Sequence, residues 1–154
     1  MSPKICYYDN GKIWSKSWYK DDKRHRENDK PAYISYYDNG KISYESWYKD
    51  DKLHRENDKP AYISYYNGKI SYEYWYKDNK RHRGNDKPAV IWYNNGKILS
   101  EEWYLNGEEY SKDEYLKLIK LAKEIKKDLT LAILYIRHKS NYIKSICQEV
   151  INES

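Results

Sequence analysis

Hydrophobic and polar positions alternate in short bursts along the first 110 residues, and the bursts recur. Ala32-Tyr-Ile-Ser-Tyr-Tyr37 and Lys41-Ile-Ser-Tyr-Glu-Ser-Trp-Tyr48 each follow the period of two that marks a half-buried strand, and Asn39-Gly40 lies between them. Asn-Gly is the strongest short hairpin signal, because both residues accept positive φ. The turn Asn-Gly-Lys occurs at 10–12, 39–41, 67–69 and 95–97, and a tryptophan follows each glycine by seven residues, at Trp18, Trp47, Trp75 and Trp103. A second signature, His-Arg-x-Asn-Asp-Lys-Pro-Ala, runs from His25, His54 and His82. The period is 29, then 28, then 28, and the lost residue falls in the turn, where Tyr37-Asp-Asn-Gly40 becomes Tyr66-Asn-Gly68. Hairpin loops absorb such changes without disturbing the ladder.

The pattern predicts tandem hairpin repeats over 3–110, three full copies and a fourth that breaks off after Trp103-Tyr104. They form a single-layer antiparallel β-meander of about eight strands. Asp50-Asp51-Lys52 and Asn57-Asp58-Lys59-Pro60 read as breaks between copies, with Pro60 where a strand starts and a missing donor is tolerated. Alternation sets Ala32, Ile34 and Tyr36 against Tyr33, Ser35 and Tyr37. It does not fix which faces coincide across the hairpin. Both faces carry rings.

Periodicity changes at 111. Ser111-Lys-Asp-Glu114 is a capping box. Behind it Leu118, Ala122, Ile125, Leu129, Ala132 and Ile136 follow 4-3-4-3-4 spacing, an apolar helical stripe. The stripe lapses at Lys139-Ser140-Asn141 and resumes at Ile143, Cys147 and Val150. This predicts a helical C-terminal cap over 111–154 made of one bent helix or two, about 112–137 and 141–152. Leu129–Ile136, apolar on most sides, is the expected most buried segment, with a strand as its alternative. Leu, Ile and Val number 12 in residues 1–110 and 14 in 112–154. The repeats are therefore short of core, and the simplest job for the stripe is to cover a sheet face or the last edge. The other is to bind a further chain as a helix in a groove.

Composition sharpens this. The 154 residues include 20 Tyr and 6 Trp but no Phe. Rings with a polar tip suit a thin sheet with little dry interior. A disordered chain is excluded by the 17% aromatic content, and a bilayer span by the shortness of the longest apolar run. The start has no apolar signal region, and Cys6 and Cys147 make no disulfide framework, so an intracellular, cytoplasmic location is expected. The net charge of +5 is spread evenly, +2 over 1–110 and +3 over 111–154, with acidic neighbours beside most lysines.

Candidate chemistry is sparse. His25, His54 and His82 recur about 9.6 Å apart by strand spacing, too far to share one zinc ion. Asp21-Asp22 and Asp50-Asp51 sit in turns beside lysines. A repeat array presents the same group at intervals, whereas catalysis needs different groups at one point, so no enzyme, cofactor or metal is expected. Arg26, Arg55 and Arg83 each precede Asp29, Asp58 and Asp86 by three residues, which predicts a clamp across each loop with the guanidinium lying on a ring. The candidate contact residues are the ladder Trp18, Trp47, Trp75 and Trp103 and a rim of Arg26, Arg55, Arg83, His25, His54 and His82.

The unit Tyr36-Tyr-Asp-Asn-Gly-Lys-Ile42, with Trp47-Tyr-Lys-Asp50 on the return strand, resembles the variant MORN repeat. The His-Arg-x-Asn-Asp-Lys-Pro-Ala element is similar to a version in tandem-repeat proteins of giant DNA viruses and some phages, certain of them antitoxin-like. The resemblance covers about 3–107. It implies a partner-binding β-meander with no catalytic residues and, for a viral protein, the host cytoplasm. The period here is longer than in standard MORN units, and Gly is scarcer. The expected function is a non-enzymatic protein-interaction or scaffold module acting through its aromatic sheet surface. Self-association through sheet edges or the C-terminal helix is a further expected contact. Binding of nucleic acid or another polyanion along the Lys/Arg/His rim is the alternative, and glycan binding on the rings a third.

Overall fold

A computed structural model describes residues 2–152 of the chain, with side chains over 2–138 and at Ser140. Residues 1–115 form one unit and residues 116–154 a second.

The first unit is a nine-stranded antiparallel meander. Its strands in spatial order are β1 (Lys4–Tyr7), β2 (Ile13–Ser17), β5 (Tyr33–Tyr36), β6 (Ile42–Ser46), β9 (Tyr62–Tyr66), β10 (Lys69–Tyr74), β13 (Val90–Asn94), β14 (Lys97–Leu105) and β15 (Glu108–Tyr110). The expected mostly-β meander with a C-terminal helix is what the chain adopts. The first two hairpins close with three-residue loops, in which Gly11 and Gly40 donate to the carbonyls of Tyr8 and Tyr37 and take the positive φ. The next two close with two-residue Asn67-Gly68 and Asn95-Gly96 turns, both residues at positive φ. The change of period from 29 to 28 is this change of turn.

Each repeat holds a second hairpin where the residue pattern predicts a break. The two-stranded ribbons β3 (Tyr19–Lys20) with β4 (Lys23–Arg24), β7 (Tyr48–Lys49) with β8 (Lys52–Leu53), and β11 (Tyr76–Lys77) with β12 (Lys80–Arg81) turn through Asp21-Asp22, Asp50-Asp51 and Asp78-Asn79. All six turn residues have positive φ. Asp and Asn are the non-glycine residues that tolerate this region. The fourth copy also completes this hairpin, through Asn106-Gly107 between β14 and β15. Consecutive ribbons are tied together: the Arg24 amide donates to Asp51 Oδ1 at 2.7 Å and the Leu53 amide to Asn79 Oδ1 at 2.6 Å.

A bulge at one position of every return strand settles the faces. Register skips Trp14, Ser43, Ser71 and Leu99. Beyond the bulge Ser35 pairs with Tyr44 and Tyr33 with Ser46, so tyrosines and small serines share one face. Ile34, Glu45, Ile63, Glu73, Ile91 and Glu101 share the other. Ala32, Ala61 and Ala89 are wholly buried where the ladder passes from sheet to ribbon; the amides of Trp18, Trp47 and Trp75 donate to their carbonyls. A core cluster of Trp75, Ala89, Val90, Ile91 and Tyr104 lies where the third and fourth copies meet.

The tail is one continuous helix, α1 (Lys112–Asn152). Lys139-Ser140-Asn141 interrupts the apolar stripe but holds neither proline nor glycine, and the backbone runs through. The capping box forms: the Glu114 amide donates to Ser111 Oγ at 3.3 Å, and the Ser111 amide to Glu114 Oε2 at 3.1 Å. The first helical turn belongs to the repeat unit, where Tyr115 is wholly buried against Trp103 and donates its hydroxyl proton to the Arg83 carbonyl. Further along, Leu118, Ile125, Leu129 and Ile136 are exposed. Leu129–Ile136, expected to be the most buried segment, is thus open to solvent, because its unit contains this helix alone. The resumed stripe at Ile143, Cys147 and Val150 falls outside the described side chains.

Candidate functional site

The tryptophan ladder lies inside the repeats rather than on an open face. Trp18, Trp47, Trp75 and Trp103 are all buried, between 5% and 7% exposed. The guanidinium carbons of Arg26, Arg55 and Arg83 stand 3.7 Å from the ring centres of Trp18, Trp47 and Trp75. The indole N–H groups of Trp47 and Trp75 donate to the carbonyls of Asp29 and Asp58 in the preceding loops, at 3.1 and 3.0 Å.

The expected arginine clamp exists, but it joins neighbouring repeats instead of closing each loop on itself. Arg55 Nε donates to Asp29 Oδ1 at 2.7 Å and Arg83 Nε to Asp58 Oδ1 at 2.8 Å. Within its own loop each arginine donates instead to the proline carbonyl, at Pro31, Pro60 and Pro88. The three-residue spacing turns Arg and Asp of one loop to different neighbours. Lys59 and Lys87 join the same carboxylates at 2.6 and 2.5 Å. Arg55 and then Lys59 hold the Asp29 carboxyl down to about 2, and Arg83 lowers Asp58 in the same way.

The histidines act in the same joints. His25 Nδ1 lies 3.2 Å from Asp50 Oδ1 in the next ribbon turn, and His54 Nδ1 3.3 Å from Asp78 Oδ1. His82 accepts the Asn106 amide at 3.2 Å, and burial, with help from Lys77, pulls its pKa down. Hollows of ≈ 290 and ≈ 200 Å³ separate successive loops, and the rim residues His25, Arg26, His54, Arg55, His82 and Arg83 line them. Among the described residues no group of three or more His, Cys, Asp or Glu is placed to hold a metal ion.

The surface that stays open is the tyrosine face. Tyr33 stacks on Tyr44 at 5.4 Å, Tyr44 on Tyr62 at 5.2 Å and Tyr62 on Tyr72 at 5.8 Å, and Tyr72 meets Trp92 at 4.9 Å. Ser35, Ser46 and Ser64 lie buried among them, small enough to let rings pack against the sheet. The ribbons bring Arg24, Tyr48, Leu53 and Tyr76 alongside and close a groove of ≈ 590 Å³. Burial raises the Tyr44 and Tyr62 hydroxyls above the ordinary phenol range, so both stay neutral at any physiological pH. Arg24 lies 4.8 Å from the Tyr48 ring centre and 5.3 Å from that of Tyr33.

The opposite face is more consumed by its own contacts. Tyr65 donates to Glu45 at 2.8 Å and Tyr93 to Glu73 at 2.7 Å, each tying one copy to the one before. Sequence reasoning missed the tyrosine groove because the bulge that aligns Tyr44 with Ser35 has no residue signature of its own. The recurrence of Tyr-x-Ser in one strand and Tyr-x-Ser or Tyr-x-Tyr in the next was the available clue. Comparison with protein-family models, curated proteins and solved structures finds no match to this chain.

Proposed function

We propose that the chain is a non-enzymatic interaction module that holds an extended protein segment along its tyrosine groove. The observation that carries this is the unbroken row of half-buried rings from Tyr33 to Trp92. It crosses five strands, about 19 Å at ~4.8 Å per strand spacing, the length of roughly six extended residues. Rigid aromatic rows with polar tips offer contact area at low entropic cost, and the phenol hydroxyls supply hydrogen bonds to a peptide backbone. The MORN-like hairpin residues support the same reading. Polyanion binding is less well supported, because Arg55 and Arg83 already spend their charge on Asp29 and Asp58. Among the described residues no helix is long and apolar enough to cross a membrane.

The test is selection of a random 12-residue peptide library on the immobilised chain, followed by titration of the enriched peptides. Tyr62→Ser, at the centre of the row, should weaken them at least tenfold, as an aromatic hot spot does. Enriched peptides indifferent to Tyr62→Ser would overturn the assignment. So would tight binding of a random single-stranded 20-mer DNA that fell steeply between 50 and 200 mM salt, and that result would favour the polyanion reading.

A further inference from the structure

We infer that the segment held along the tyrosine groove carries an acidic side chain, seated on Arg24, and an apolar one about three residues away, seated on Leu53; this rests on the groove reading above. Of the residues that line the ≈ 590 Å³ groove, Arg24 is the one that carries a charge, the rest being tyrosines with Ser46 and Leu53. Its guanidinium is set among rings, 4.8 Å from the Tyr48 centre, 5.3 Å from that of Tyr33 and 6.0 Å from that of Tyr19. Rings take the flat face of a guanidinium and leave its in-plane N–H donors to find acceptors. The Arg24 Nε is buried with no hydrogen-bond partner, and among the described residues no carboxylate pairs with the guanidinium. The Asp51 carboxylate accepts the Arg24 amide instead. The third copy shows how the chain meets such a charge from within. There Arg81 holds the equivalent position, donates to the Tyr104 hydroxyl at 2.9 Å and stands 3.8 Å from Glu102. In a groove partly withdrawn from water, a cation without its counter-charge favours an anion from outside.

The second copy holds Leu53 where the first holds Arg24 and the third Arg81. Consecutive ribbons lie two strand spacings apart, about 9.6 Å, which an extended chain covers in about three residues. The groove therefore presents a cation and then, at a fixed interval, an apolar patch of Leu53 and Tyr76. The acid is a side chain rather than a chain terminus, because the face continues past Arg24. Ser17 lies opposite Tyr33 and Ser15 opposite Ser35, both buried and small. A bound chain can run on over them toward Lys4, which pairs with Ser17. A nucleic-acid backbone brings a charge with every nucleotide. One cation beside neutral phenols matches a single acidic side chain instead.

The experiment selects a random 12-residue peptide library, amidated at the C-terminus, on the wild-type chain, on Arg24→Leu and on Leu53→Arg. Each substitution installs a residue that another copy already holds at that position, so both variants should keep the wild-type circular dichroism and melt. Peptides enriched on the wild type should carry Asp or Glu about two to four residues from Leu, Ile, Val or Met. Replacing that acid by its amide should weaken binding at least about tenfold on the wild type and less than about twofold on Arg24→Leu. Leu53→Arg should select a second acid in place of the apolar residue. Peptides that lose affinity with Tyr62→Ser yet lack the acid, or bind Arg24→Leu as well as the wild type, would overturn this inference and leave the groove reading standing. Indifference to Tyr62→Ser as well would bring down both. Steeply salt-dependent binding of the single-stranded 20-mer DNA that Arg24→Leu abolishes would also refute it, because Arg24 would then serve a phosphate backbone.

Discussion

Trp47→Ala separates an indole that holds the repeats together from one that greets a partner. Trp47 is 7% exposed, lies under Arg55, and donates its N–H to the Asp29 carbonyl of the previous repeat. Burying a tryptophan removes about 200 Å² of surface, worth ~5 kcal/mol at 25 cal/mol per Å². Removing it also loses a stacked guanidinium, about 1 kcal/mol, and one hydrogen bond of similar worth. Loop collapse into the gap returns part of this, which leaves a net loss of about 3–5 kcal/mol. For a chain of this size that lowers the melting temperature by about 10 °C or more. Urea and thermal melts followed by far-ultraviolet circular dichroism measure it without relying on tryptophan emission. Trp47→Phe, which keeps most of the ring but not the N–H, should cost about 1–2 kcal/mol. Trp14→Ala is the internal control: Trp14 sits at a bulge, 45% exposed, and its loss should stay within about 0.5 kcal/mol. Equal midpoints for wild type and Trp47→Ala would refute the reasoning, because a buried inter-repeat joint cannot be removed for nothing.

Two further outcomes follow from the same joints. Asp29 has a folded pKa of about 2 against an ordinary 3.8, so its contribution is fully present above 3.8 and is lost as pH falls from there toward 2. Asp29 is 41% exposed, so screening holds this to about 1 kcal/mol; Asp29→Asn should cost that much at pH 7, and urea midpoints of wild type and variant should converge near pH 2. Ala61, wholly buried at the sheet-to-ribbon passage, has no room for a larger side chain, and Ala61→Leu should destabilise by about 1–3 kcal/mol in urea melts while Lys69→Leu on the exposed return strand should not.

How much of this was legible depends on whether the deciding signal was local. The Asn-Gly turns, the lost turn residue and the Ser111–Glu114 box are decided within four residues, and all appear as read. The second hairpin also turns locally, but on Asp50-Asp51, whose left-handed conformation is tolerated rather than demanded; only its recurrence at Asp21-Asp22 and Asp78-Asn79 marks it. The Arg–Asp pairing has a local shape, three residues apart, and a non-local outcome, because neighbouring loops lie one repeat apart and the fork of Arg55 reaches backward to Asp29. The tyrosine groove was least legible. A single bulge residue moves every later side chain of a return strand to the other face, and Ser43 and Ser71 look like any strand serine.

The joints also explain where the array stops. Each internal tryptophan is covered by an arginine from the loop that follows it, and the first two loops are held through Asp29 and Asp58 by the arginine of the next copy. At Trp103 no fourth loop exists, and the entering helix replaces it: Lys112 Nζ stands 5.4 Å from the ring centre where the guanidinium would be, and the Tyr115 ring packs at 5.1 Å. The Tyr115 hydroxyl takes the Arg83 carbonyl. In a linear array each unit is stabilised by its neighbours, so an unmatched last unit would fray inward. Its replacement by one helical turn stops that fraying. At the other edge β1 carries exposed Lys4, a charge that discourages a further strand from pairing. With both ends closed in this way, the ring row from Tyr33 to Trp92 falls on the interior strands β5 to β13, which are paired on both sides and are the most rigid platform the sheet offers.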